Sequence, residues 1–147
     1  ILAYDPLVSA EEIKKRGGEP VSLDELLAAA DMITMHMPLT ADSRNLLNAE
    51  ALAKTKAGVY IVCAARGGVI DEEALLAALN SGHAAGAALD VFANEPPGAT
   101  ELVAHPHVID SPHIGAQTVE AQARAANDIA DEVLNALAGK PLRWKVA

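Results

Sequence analysis

The chain has 147 residues, 51% of them hydrophobic, which suits one domain of ordinary size with a buried core and excludes a disordered segment. Its 11 basic against 20 acidic side chains leave a net charge of -9, so there is no basic footprint for nucleic acid or anionic lipid, and neither is an expected partner. Cys63 is the only cysteine, which rules out an internal disulfide or a multi-cysteine zinc site and suits a reducing, cytoplasmic compartment. The opening Ile-Leu-Ala-Tyr-Asp carries no initiator methionine and no basic signal region, and charged residues interrupt every alanine-rich stretch before it reaches membrane-spanning length. An excerpt of a longer protein is therefore expected, with a truncated product as the other account.

Residues 1–4 read as a strand, 11–16 as a short helix ended by Gly17-Gly18, and Val21 as part of a brief extended segment. Ser22 followed by Glu25 is a capping-box pattern opening the next helix, and residues 31–37 form a buried strand closed by Pro38. Asn48 caps a helix to Lys56, and the apolar, β-branched run 59–63 is a buried strand. Asp71 precedes a helix over 72–80 with Leu75, Leu76 and Leu79 at helical spacing, and Gly82 ends it. A small-residue strand over 85–91, a short strand over 108–110 and a long amphipathic helix over 118–137 complete the chain, the last with Ile129, Val133, Leu134 and Leu137 on one side. Strands alternating with helices imply crossovers and a parallel sheet with helices on both faces, so the class is α/β.

In open α/β sheets, ligands bind beyond the carboxyl ends of the strands. Asp5, Arg66, Asp90, Glu95 and His113 all follow predicted strands. If these strands are parallel, an acid, a base and a cation converge along one edge, which suggests catalysis on a small anionic substrate. Each also has an ordinary reading: Asp5 as a turn opener before Pro6, Arg66 and Glu95 as solvated loop residues, His113 as a structural histidine after proline.

Order and spacing favour the first reading. The segments Ile61-Val62-Cys63-Ala64-Ala65-Arg66-Gly67-Gly68-Val69-Ile70-Asp71-Glu72, Ala87-Ala88-Leu89-Asp90-Val91-Phe92-Ala93-Asn94-Glu95-Pro96 and Ser111-Pro112-His113-Ile114-Gly115-Ala116 resemble the three signature blocks of the NAD-dependent D-2-hydroxyacid dehydrogenases. Tyr4-Asp5-Pro6 and His36-Met37-Pro38-Leu39-Thr40 resemble two further blocks. Within the family, the Ala-Arg-Gly-Gly run, the strand from Gly86 to Phe92 and Glu120-Ala121-Gln122 resemble the branch that oxidises 3-phosphoglycerate toward serine.

The resemblance implies a Rossmann-like, doubly wound parallel sheet and NAD as cofactor. It implies His113 as general acid/base, a role imidazole fills near neutral pH, and Glu95 as the carboxylate that orients it and favours its charged form. Arg66 would grip the substrate carboxylate through its fork of donors. Asp5 would accept from the adenosine ribose hydroxyls, which favours NAD over NADP. Met37, Pro38, Ala64 and Ala65 would line the cofactor cleft, Asp90 would meet the carboxamide, and Arg66 with His113, Ile114, Gly115 and Ala116 would close the nicotinamide end.

No three of the ten glycines make G-x-G-x-x-G, the phosphate loop that the family carries just before the strand ending at Asp5. Residues 1–140 are thus expected to be a partial NAD-binding domain lacking its first βαβ unit, with 141–147, including Trp144 and Val146, starting the return to a missing substrate domain. Alone, the chain is expected to be nearly inactive; the complete protein is expected to be a homo-oligomer. Cys63 stands where the family commonly has asparagine and is expected to be a buried apolar side chain. His105 and His107 lack an acidic or thiol partner and no metal is expected. The alternatives are a dehydrogenase for glyoxylate, hydroxypyruvate or D-lactate, or a non-catalytic NAD-sensing corepressor-like module.

Overall fold

The computed structural model describes residues 1–145, so Val146 lies outside the described residues. The chain divides into two compact units, residues 1–112 and the residues from His113 onward.

In the first unit, β1 (Leu2–Ala3) leads into α1 (Ala10–Lys15), whose N-cap Ser9 accepts from the Glu12 amide and which ends at Gly17, φ +86°. β2 (Glu19–Pro20) pairs in parallel with β1, and the Val21 amide extends that ladder to the Ala3 carbonyl. α2 (Leu23–Ala29) carries both arms of the expected capping box: Ser22 Oγ takes the Glu25 amide at 3.3 Å, and Glu25 takes the Ser22 amide at 2.8 Å. The Ser22 amide and, at 2.7 Å, the Ser22 hydroxyl both donate to the Glu25 carboxyl and hold it below the ordinary carboxylate range.

β3 (Met32–Met35), β4 (Val59–Cys63), β5 (Ala84–Leu89) and β6 (Val108–Asp110) form a four-stranded sheet in that order, with every pair parallel. The fold is α/β and Rossmann-like, its parallel strands hydrogen-bonded as two sets, β1–β2 and β3–β6. Met35 pairs with Cys63, Cys63 with Leu89 and Leu89 with Asp110, so the carboxyl ends of four strands finish in one row.

α3 (Ala49–Ala53), capped by Asn48, stops short of the expected Lys56. The last turn tightens, with the Leu52 carbonyl taking the Thr55 amide at 3.0 Å together with the Thr55 hydroxyl at 2.7 Å and His83 Nε2 at 2.9 Å, so that carbonyl is filled before the Lys56 amide can reach it. α4 (Glu72–Asn80) forms where predicted, with Asp71 accepting the Ala74 amide. β5 ends two residues earlier than expected, because beyond Asp90, whose amide makes the last bond to the Cys63 carbonyl at 2.9 Å, the chain turns into a loop in which Glu95 caps the Phe92 amide.

Alternation along β4 buries Val59, Ile61 and Cys63 while Tyr60 stays exposed. The buried side joins Ile33, Met35, Ala87 and Leu89 with Leu27 of α2, Leu52 of α3 and Leu75 of α4 in one core. Leu75 has no exposed surface, so Leu75→Ala removes buried methyls and leaves a cavity in the core. We expect it to lower the unfolding free energy by about 2–5 kcal/mol in urea denaturation. An unmoved midpoint would show that α4 is not seated in that core.

In the second unit, Thr118 caps α5 (Val119–Leu137) by accepting the Ala121 amide at 3.1 Å. Ile129, Val133, Leu134 and Leu137, the predicted stripe, are exposed. Residues 143 and 144 fold back on α5 through the Glu132 carboxylate, which takes the Arg143 amide at 3.1 Å and the Trp144 amide at 3.4 Å. No helix among the described residues is long and apolar enough to cross a membrane.

Candidate functional site

The aligned carboxyl edge of β3–β6 launches three loops of the first unit that carry candidate residues. After β3, Met37 is half-buried and Pro38 exposed. The Ser43 hydroxyl donates to the Pro38 carbonyl at 2.7 Å, and Thr40 and Ser43 exchange further bonds that fix the turn. Met37 and Tyr4, the neighbour of Asp5, line one solvent-open cleft with Leu23, Leu26, Thr34 and Leu46. Two segments far apart in sequence, both of them expected from the sequence to meet the cofactor, thus line one opening. Asp5 itself is exposed, and its Oδ1 accepts the Leu7 amide at 2.8 Å, so the turn-opening reading holds alongside any functional one.

After β4, Ala64 is exposed and Ala65 buried, and Arg66 is exposed with Nη1 donating to the Ala65 carbonyl at 2.6 Å. Cys63 beneath it is 2% exposed. Burial pushes its thiol up, against the pull of the Ala65 and Arg66 amides, so it stays protonated and inert. Gly68, φ +80°, turns the loop, and its carbonyl takes the Asn45 amide at 2.8 Å.

After β5, Asp90 is buried and accepts from the Ser111 hydroxyl at 2.6 Å. A buried carboxylate at the end of a parallel sheet is costly without such partners, and this one is held by the residue following β6. Ser111 was not singled out from sequence, yet the signal was present: the Leu89–Asp110 pairing makes the next residues, Asp90 and Ser111, neighbours. Further along, Glu95 Oε1 accepts the Phe92 amide at 3.1 Å, and Glu72, at the first position of α4, accepts the Ala93 amide at 2.6 Å. The loops bearing Arg66 and Glu95 touch directly. A methyl placed on Gly67 would lie 1.8 Å from the Phe92 carbonyl oxygen.

His113, Ile114, Gly115 and Ala116 open the second unit. His113 has φ +55°, a left-handed conformation that non-glycine residues adopt rarely. The Gln117 amide donates to the Ile114 carbonyl at 2.9 Å, and Gln122 of α5 donates to the Ala116 carbonyl at 3.1 Å, which ties this segment to the helix. His105 and His107 spend ring nitrogens on the backbone, His105 Nδ1 on the His107 amide and His107 Nδ1 on the Ala85 carbonyl. Among the described residues no group of three or more histidines, cysteines or carboxylates is placed to hold a metal ion.

Among known proteins, a D-3-phosphoglycerate dehydrogenase of Bacillus subtilis (strain 168) is 51% identical over 139 residues, which cover 95% of this chain and 26% of that protein. The chain thus spans about a quarter of that relative's length. The solved D-lactate dehydrogenase of Aquifex aeolicus, complexed with NAD and lactic acid, superposes with a TM-score of 0.84 at 34% identity, covering 94% of this chain and 46% of that one. A D-isomer specific 2-hydroxyacid dehydrogenase of Xanthobacter autotrophicus Py2, in complex with NADPH and MES, gives a TM-score of 0.81 at 35% identity, covering 98% of this chain and 59% of that one. Residues 1–115 match the family described as D-isomer specific 2-hydroxyacid dehydrogenase, NAD binding domain, and with most of its length inside that match the chain belongs to this family.

Proposed function

We propose that the full-length protein carrying this chain is an NAD-dependent oxidoreductase of D-2-hydroxy acids, with 3-phosphoglycerate and 3-phosphohydroxypyruvate as its substrate pair. The observation that carries this reading is the row of aligned strand ends, from which loops project a guanidinium, a buried carboxylate and a loop carboxylate in the order of the family's signature blocks. The choice of 3-phosphoglycerate is supported by the 51% identity to a phosphoglycerate dehydrogenase.

When bound, the nicotinamide supplies or accepts the hydride. An apolar, solvent-open cleft lined by Tyr4, Leu23, Leu26 and Met37, next in sequence to the exposed Asp5 carboxylate, suits the adenosine end of the cofactor, and the Asp90 carboxylate at the end of β5 suits a carboxamide, so the residues present fit the cofactor. By the family resemblance Met37, Pro38, Ala64 and Ala65 would line the cofactor cleft, and His113, Ile114, Gly115 and Ala116 would meet the nicotinamide end. The Leu7 amide fixes Asp5, whose charge would repel a 2′-phosphate. The Xanthobacter relative was solved with NADPH, so the preference for NAD proposed here rests on the Asp5 carboxylate and not on the fold.

Arg66 binds the substrate carboxylate and draws electron density from the adjacent carbonyl. His113 exchanges the proton as alcohol and ketone interconvert, with Glu95 as its carboxylate partner. The left-handed backbone at His113 supports that role, since strain of this kind concentrates where a side chain must be aimed. Residues 1–140 act as part of the cofactor domain, and the segment from Pro141 leads toward a substrate domain. The protein assembles as a homo-oligomer.

The test is NADH-dependent reduction of 3-phosphohydroxypyruvate, hydroxypyruvate, glyoxylate and pyruvate by the full-length protein. The phosphorylated substrate should give a kcat/KM at least about tenfold above the others. Preference for pyruvate or glyoxylate would move the protein to another branch of the family, and no turnover of any of them would favour an NAD-sensing module.

A further inference from the structure

The loop after β4 and the loop after β5 must keep a fixed spacing if Arg66 and Glu95 are to serve one substrate, and the last ladder bond between them, from the Asp90 amide to the Cys63 carbonyl at 2.9 Å, comes before the turn that carries Glu95. The direct contact is Gly67 against the Phe92 carbonyl, an apposition of two backbones. A directional lock on that turn comes from Glu72. This residue stands at the start of α4, the helix whose Leu75 and Leu79 are buried in the core, and its carboxylate reaches across 21 positions to the Ala93 amide at 2.6 Å. The preceding amide, that of Phe92, goes to Glu95. Two consecutive amides of the turn are therefore held by carboxylates, one from within the loop and one from the helix that follows Arg66.

A glutamate in the first turn of a helix has an ordinary explanation in the helix dipole, but Glu73 meets that need equally and is exposed, whereas Glu72 is half-buried and bonded to another loop. We propose that Glu72 is a positioning residue: it anchors the 92–95 turn to α4 and so sets the distance between the Glu95 carboxylate and the Arg66 loop. This rests on the reading of Arg66 and Glu95 as parts of the active site.

The experiment compares Glu72→Ala, Glu72→Gln and Glu73→Ala in the full-length protein, reading hydrogen exchange of the peptide spanning 91–97 together with kcat and KM. Glu72→Ala should speed exchange in that peptide and lower kcat about tenfold, with the KM for NADH within about twofold of wild type. Glu72→Gln keeps an oxygen that accepts from the Ala93 amide and should restore both readouts to within about threefold. Glu73→Ala, which removes the same charge from the same turn, should leave both unchanged. The proposal is overturned if Glu72→Ala behaves like Glu73→Ala, if glutamine fails to rescue, or if exchange rises with kcat untouched. A wild-type protein that reduces no 2-oxo acid would instead sink the functional reading, and the exchange comparison would still decide whether Glu72 anchors the turn.

Discussion

Replacing His113 with glutamine in the full-length protein should lower kcat by about 10² to 10⁴, the range a positioned acid/base group contributes, while leaving NAD affinity within about threefold. Glutamine offers hydrogen-bonding atoms of similar reach but cannot carry the proton, so the loss would report proton transfer. The backbone complicates a naive reading, because His113 sits at φ +55° and a left-handed residue costs roughly 1–2 kcal/mol for most side chains. His113→Asn provides the control, since asparagine tolerates that conformation and also cannot shuttle a proton. Both variants should lose turnover together, with calorimetric NAD binding and thermal unfolding close to wild type. A rate left at the wild-type level in both would remove His113 from the chemistry and favour the NAD-sensing alternative.

How far the sequence reaches is clearest by comparing elements. β4, α4 and β6 lie where they were read, residue for residue, because each combines a clean apolar pattern with a strong boundary, Asp71 for α4 being the sharpest. α3 was overextended because nothing local announces that Thr55 and His83, the second 31 residues from Leu52, would occupy a helix carbonyl. That the loops carrying Arg66, Asp90 and Glu95 leave one edge of the sheet was legible once the strands were taken as parallel, since register then follows from the pattern of burial. Two features were not legible. Glu72 looks like any acidic residue in a helix's first turn, and its bond to Ala93 exists only because the loop after β5 folds over α4. The Tyr4–Met37 cleft joins elements whose strands belong to different hydrogen-bonded sets, so no strand register predicts it.

The largest combined effect on the fold and the proposed site is expected at Gly67. Its neighbour Gly68 is glycine for a conformational reason, φ +80°, and a methyl added there would come no closer than 3.5 Å to anything but its chain neighbours. Gly67 has no such backbone requirement. It is glycine for space, because a Cβ there would lie 1.8 Å from the Phe92 oxygen, 2.2 Å from its carbonyl carbon and 2.8 Å from the Ala93 nitrogen. All three are backbone atoms, so no side-chain rotation relieves the overlap and the two loops must separate. Gly67→Ala should therefore cost about 3 kcal/mol, the upper part of the range for overpacking, whereas Gly68→Ala should cost about 1–2 kcal/mol through backbone strain alone. The two variants should diverge further in catalysis. Separation at Gly67 pulls the Arg66 loop away from the turn that carries Glu95, so kcat/KM should fall by about 10² or more, against less than about tenfold for Gly68→Ala. Urea midpoints with kcat/KM for both variants decide the matter, and equal losses at the two positions would mean that the backbone contact between these loops does not set the geometry of the site.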